Sequence, residues 1–292
     1  MSIEEFAEAV KKELTQKLGA GYRTKICNVM KENDILNHGI AIVKGDENMA
    51  PTLYVDTYYD EYVKGRLSIS QAVEKLLRVY EYSLGNSVGV TSVINLTSFD
   101  AVRDRVCVYL VSKDLNTEWL KDTVHVDFLD LAIAFKIVFT LEDGLASVRV
   151  ATKVFECWDI SIDELYKIAL QNSMKLMPEV VRPLDEIIRE RGFVTPGGFE
   201  LYVITNKTGS NGAGVILYPD LLKNLATELD SDLFILPSSR HEVIVVSEET
   251  AMDVYALREM VKEININEIA HDDLLSFSVY KYVRENDKVV IA

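Results

Sequence analysis

Phe6, Val10, Leu14 and Leu18 recur every fourth residue, which puts them on one face of a helix that Gly19 and Gly21 then end. Two half-apolar runs follow, "YRTKICNVMK" and "NHGIAIVKG", and read as strands on either side of "ENDIL". "PTLYVDTYYDEYVKG" starts extended and ends as a short helix. In "SISQAVEKLLRVYEYSL", Ser68 is placed to cap a helix whose apolar face carries Ile69, Val73, Leu76, Leu77 and Tyr80.

Further on, "RVCVYLVS" is a strand, and "LAIAFKIVFTLEDGLASVRVATKVFECW" reads as a hairpin turning at "EDG". "SIDELYKIALQNSMKLM" is helical, with Ser161 and Glu164 at capping-box spacing. The pattern restarts near Met177 and Pro178. "PLDEIIRERGF" is a helix ending at Gly192, and "FELYVITN" and "GAGVILYP" are strands joined by "KTGSNG". "DLLKNLATEL" is a helix, and "DLFILP" and "HEVIVVS" form a second hairpin. "ETAMDVYALREMVKEIN" is a helix, and "LLSFSVYKYV" with "KVVIA" forms a last hairpin. Strands follow one another through short turns more often than they alternate with helices. That predicts an α+β fold in which mainly antiparallel strands pack against helices. The restart suggests two subdomains, 1–176 and 177–292.

Composition narrows the class. At 292 residues and 48% apolar, the chain has enough hydrophobic material for one large or two ordinary cores. A net charge of −15 repels phosphate at long range, so no direct nucleic-acid binding is expected. The acids are interspersed with basic residues rather than gathered in a tail. The longest apolar stretch, "FLDLAIAFKIVF", is broken by Asp130 and Lys136 and falls short of the roughly 20 residues that span a bilayer. The acidic, amphipathic N-terminus has no signal-peptide pattern, so a cytoplasmic protein without a membrane segment is expected. Cys27, Cys107 and Cys157 are widely spaced in strand-like contexts, which predicts buried, reduced thiols.

The stretch from Tyr218 to Val243, with "LPSSRHEV" at its end, resembles the DUF5688 family. So do "PTLYVDTYYDEYVKG", "VDFLDLAIAFKIVF" and "EININEIAHDDLLSFSVYKY". The resemblance runs over most of the chain; it departs at His271, where the family is expected to carry Pro. It implies a cytosolic bacterial protein of Firmicutes and carries no catalytic residue, cofactor or substrate with it.

Candidate chemistry gathers in four places. In "ILPSSRHEVIVV", Ser238 or Ser239 has the hydroxyl of a nucleophile, His241 is a base, and Glu242 or a distant Asp could orient it. Adjacent strand residues point to opposite faces, however, and the chain has no GxSxG elbow. Pro-Ser-Ser-Arg also reads as simple turn chemistry. In "NKTGSNGAG", Lys207, Gly209, Asn211 and Gly212, with Arg240 of the neighbouring turn, are candidate ligand contacts. The Walker spacing is absent, and a long hairpin loop is the simpler reading. His125 and Asp127, His271 with Asp272 and Asp273, and His241 beside Glu242 are scattered carboxylate and imidazole ligands. No HExxH or CxxC anchors them, so no metal and no cofactor are assigned. Tyr58, Tyr59 and Tyr62 suit either a core edge or a partner surface.

Taken together, the residues read as a non-catalytic module that binds a protein or a small molecule, and edge strands could support a homodimer. The alternatives are a hydrolase using Ser239 and His241 or a metal, and an acidic mimic of nucleic acid.

Overall fold

The computed structural model describes residues 1–45, 52–86, 95–141, 144–193 and 200–292. The "EDG" turn lies largely outside them. Contacts along the backbone divide the chain into two compact units, Met1–Ile94 and Asn95–Ala292, so residue 176 falls inside the second. Among the described residues no helix is long and apolar enough to cross a membrane. Both units are α+β, with antiparallel sheets and helices packed on them.

The first unit opens with α1 (Ile3–Leu18). Ser2 Oγ accepts from the Glu5 N–H while the Glu5 carboxylate accepts from the Ser2 N–H, a reciprocal cap that satisfies two orphan donors. The strands β1 (Tyr22–Met30), β2 (Leu36–Lys44) and β3 (Thr52–Tyr54) form one antiparallel sheet in that order, and α2 (Asp56–Val63) and α3 (Ile69–Asn86) follow. Ser68 caps α3 as its position predicts, and Gln71 returns the bond. The α1 stripe of Phe6, Ala7, Val10 and Leu14 shares one core with Ile40 and Ile42 of β2 and Ala72, Val73 and Leu76 of α3.

The second unit contains two sheets. In the first, β4 (Val106–Ser112), β5 (His125–Phe128), β6 (Leu131–Leu141) and β7 (Gly144–Arg149) pair in the order β4-β6-β5, with β7 also on β6. Single helical turns precede β4 (α4, Phe99–Val102) and follow β7 (α5, Thr152–Phe155). All seven residues of β4 are buried, because α6 (Ile162–Leu176) and a 3-10 turn at Gly212–Leu217 both pack on it. A strand covered on both faces reads as continuous apolar sequence, as "RVCVYLVS" does. The second sheet takes β8 (Glu179–Pro183), β9 (Leu201–Asn206), β10 (Leu233–Pro237), β11 (Val243–Ser247), β12 (Tyr280–Val283) and β13 (Lys288–Ile291) in the order β13-β12-β10-β11-β9-β8. Helices α7 (Leu184–Glu190), α8 (Leu221–Glu228) and α9 (Val254–Asn267) connect them.

Three expectations need correction. "GAGVILYP" is not a strand: β8 and β11 occupy both edges of β9, so the segment has no ladder position there and coils into the buried 3-10 turn. The tail of the first hairpin, "ATKVFECW", leaves the sheet as α5 and a turn, and that turn exposes Cys157 rather than burying it. "LLSFSVYKYV" becomes a strand only from Tyr280, because the hydroxyls of Ser276 and Ser278 are drawn to Asp130 instead.

Candidate functional site

The β10–β11 turn is built from its own polar residues. The Ser239 N–H donates to the Glu242 carbonyl and the His241 N–H to Ser239 Oγ at 3.0 Å. Arg240 reaches Asp273 twice, through its backbone N–H to the Asp273 carbonyl and through Nε to Oδ1 at 3.1 Å. His241 Nε2 lies 2.9 Å from Asp273 Oδ1, and Nδ1 accepts from the Asn211 N–H at 3.2 Å, so the proton sits on Nε2. Both imidazole nitrogens are therefore engaged, and the Ser239 hydroxyl meets the His241 backbone rather than its ring. A serine nucleophile needs a ring nitrogen with a lone pair within reach. This arrangement instead uses the imidazole as a clasp between two loops. The carboxylate on the ring is not that of Glu242 but that of a distant Asp, Asp273, which the sequence offered by number only as a turn residue or a weak metal ligand beside His271 and Asp272.

The glycine-rich loop leans on this clasp. Thr205 Oγ1 donates to the His241 carbonyl at 2.7 Å, and the Ala213 N–H donates to the Arg240 carbonyl. Gly212 sits where a Cβ would fall on Thr205 Oγ1 and the His241 carbonyl, so the backbone approach requires glycine. Asn206, buried, accepts from both the N–H and the hydroxyl of Thr208 and donates to the Ser210 carbonyl. The N–H groups of Lys207, Gly209, Ser210 and Gly214 are likewise donated within the protein. The loop is thus closed by its own amides rather than open as a cradle for phosphate.

Beneath it lies a residue that sequence reasoning passed over. Lys136 of β6 is only 6% exposed. Its Nζ donates to Asn211 Oδ1 at 2.8 Å and stands 5.2 Å from the centroid of the Tyr109 ring. Burying an ammonium costs several kcal/mol unless hydrogen bonds and charge meet it; the amide oxygen and the ring face supply part of that compensation. The amide that holds Lys136 presents its other end, Nδ2, as a buried donor with no acceptor among the described residues. A cavity of about 410 Å³ opens beside Lys136. Lys136, Ser147, Thr208 and Ser210 supply its polar wall, and Val138, Leu145, Ala146 and Met177 its apolar wall. The signal in the sequence was a lone lysine inside "LAIAFKIVF", a continuous apolar run that is buried throughout.

Cys107 packs with Val138 and Met177 behind the cavity. Burial pushes its thiol up to about 11, against smaller opposing effects from Ser173 and Lys136. Since the thiolate is the nucleophile, Cys107 resists iodoacetamide at pH 8 in the folded protein while exposed Cys157 is alkylated. Peptide mass mapping reads this directly; equal labelling of both in native buffer contradicts the buried placement.

The other candidates are placed as follows. Tyr59 and Tyr62 rest on buried Phe6, with ring centroids 5.5 and 5.0 Å away, and with Tyr58 they close the edge of the first unit's core. His125 Nδ1 lies 2.7 Å from the Thr123 carbonyl, and Asp127 pairs with Lys113. Among the described residues no three His, Cys, Asp or Glu side chains gather as a metal site.

A family model described as a family of unknown function (DUF5688) matches residues 3–284. No curated protein and no solved structure matches the chain.

Proposed function

We propose that this chain, which belongs to the DUF5688 family, is a non-catalytic module that binds a small molecule in the cavity beside Lys136. The observation that carries this reading is the buried lysine lining a cavity of about 410 Å³ with hydroxyls on one side and aliphatic side chains on the other. Small-molecule sites are typically concave and mostly apolar, with a few fixed polar groups that set orientation. A buried ionisable residue in such a wall is a functional candidate on physical grounds. The engaged His241 ring supports binding over catalysis, because the residues most like a catalytic set are used to hold the loop. All three cysteines are unpaired, which supports a reducing compartment such as the cytoplasm.

Native mass spectrometry on the gently purified full chain tests the reading. A small-molecule adduct is expected, and Ser147→Phe, which sets a ring on the sheet face that Lys136 and Val138 share, is expected to abolish it without unfolding the chain. An adduct that survives Ser147→Phe places the ligand elsewhere. An apo mass that persists after incubation with a bacterial metabolite extract counts against a binding module of this kind.

A further inference from the structure

We infer that the open edge of β7 is a docking site for a short extended segment of another protein, apolar at every second residue and net basic. The inference goes beyond the small-molecule reading: it rests on a main-chain edge, and Lys136 keeps the partners it has. β7 pairs with β6 on one side, and among the described residues no strand takes the other. The Val150 N–H donates to the Phe135 carbonyl, which sets the phase of the ladder. Val148 and Ala146 therefore direct their main-chain groups at β6, and the N–H and C=O of Leu145 and Ser147 point away from it. No backbone bond meets those outward groups among the described residues. Both side chains are exposed as well, Leu145 at 45%. Other sheet edges are blunted by charge or proline: β1 carries Arg23 and Lys25, β8 carries Arg182 and Pro183, and β13 carries Lys288. β7, "GLASVR", has only Arg149, which is bound to Asp122 and Thr123.

The cavity beside this edge selects the side chains. A strand added antiparallel to β7 exchanges a pair of hydrogen bonds with Leu145 and another with Ser147. The residues it sets opposite them share their face of the sheet, which is also the face of Val138, the β6 partner of Ser147. Their side chains therefore meet the cavity, with Val138, Leu145 and Met177 on its apolar side. Ala146 points its side chain to the opposite face, so it lines the cavity through its main chain, and edge and cavity are continuous. Apolar side chains at alternate residues suit that wall. A second copy of β7 would meet the same main-chain groups, but two chains of net charge −15 repel each other, whereas a basic segment is drawn in.

Fluorescence anisotropy on the full chain tests this with a degenerate library of labelled peptides of about six residues, the length of β7. The peptides carry valine, leucine or phenylalanine at alternate positions and lysine or threonine between them. Binding is expected, and it should weaken as salt rises. N-methylation of the apolar residues removes the donors aimed at Leu145 and Ser147, and is expected to weaken binding about 10-fold or more. N-methylation of the residues between them leaves those donors in place and is expected to change little. Ser147→Pro removes an outward N–H without touching a bond to β6, so it should weaken binding to a similar degree while circular dichroism shows an unchanged fold. The methylated peptides need only the wild-type chain, so the test stands even if Ser147→Pro fails to fold. Equal binding of the two methylated sets overturns the inference, as does no binding by any peptide or binding that salt leaves unchanged. A dimer in sedimentation that Ser147→Pro dissolves also overturns it, because the edge then belongs to a second copy. A native small-molecule adduct without peptide binding removes this inference alone; peptide binding without an adduct removes the small-molecule reading alone.

Discussion

Gly212→Ala is expected to lower the stability of the second unit by about 3 kcal/mol, the upper part of the range for overpacking a filled site. The added methyl meets Thr205 Oγ1, the His241 carbonyl and the Asn206 backbone nitrogen. Two of those three are main-chain atoms held in place, one on β9 and one in the turn before β11, so relief requires the loop to move away from both. Moving it stretches the bond from the Asn211 N–H to His241 Nδ1 and, through the Asn211 side chain, the seat of Lys136. Ligand affinity should therefore fall along with stability. Gly209→Ala is the control: Gly209 has φ +66° with nothing within 4 Å of its would-be Cβ, so the cost is left-handed strain alone, about 1 kcal/mol. Urea midpoints of the two variants, with unchanged slopes, decide the matter. Equal losses would mean that the close approach at Gly212 is not a constraint in solution.

Elements were legible where one local signal settled them. The four-residue apolar period gave α1, and the Ser68 cap with its stripe gave α3. The apolar runs on either side of Pro-Ser-Ser-Arg gave the β10–β11 hairpin. What the sequence could not settle depended on competition between distant segments. "GAGVILYP" has strand composition, but whether it pairs is decided by β8 and β11, which take the two edges of β9. The candidate site divides in the same way. Asn211, Gly212, Arg240 and His241 were visible as turn and loop chemistry in sequence. Their use as a clasp required Asp273, which lies more than thirty residues beyond the turn and is brought there by α9 and the segment after it. Lys136 was visible as an interruption in an apolar run, yet its environment comes from Tyr109 and Asn211, on segments that only the fold brings together.

Asp130→Ala is expected to be the most damaging single substitution of a polar residue in the second unit, at about 3–5 kcal/mol. Asp130 sits in the two-residue turn between β5 and β6, beside Leu129 at φ 57°. Its Oδ2 accepts from Ser276 Oγ at 2.8 Å and Ser278 Oγ at 2.9 Å, and its Oδ1 from the Tyr280 hydroxyl at 2.8 Å. Ser276 and Tyr280 are buried, and burial pushes the Tyr280 phenol far above its ordinary range, so it stays a donor at any physiological pH. Removing the carboxylate leaves buried donors unmet, which costs more than the bonds themselves contribute. It also frees the segment that runs back from β12 to Asp273, and with it the clasp on His241. Asp130→Asn keeps one acceptor oxygen and gains an amide to which a serine hydroxyl can turn its lone pairs, so its loss should be nearer about 1–2 kcal/mol. In a double-mutant cycle Asp130→Ala and Tyr280→Phe should couple by about 1–2 kcal/mol, since each removes one end of the same bond. Additive losses would show that water replaces the carboxylate. A non-additive result, joined by faster hydrogen exchange at Arg240 and Asn211, would show that the β5–β6 turn holds the loop above the cavity in place from the far side of the clasp.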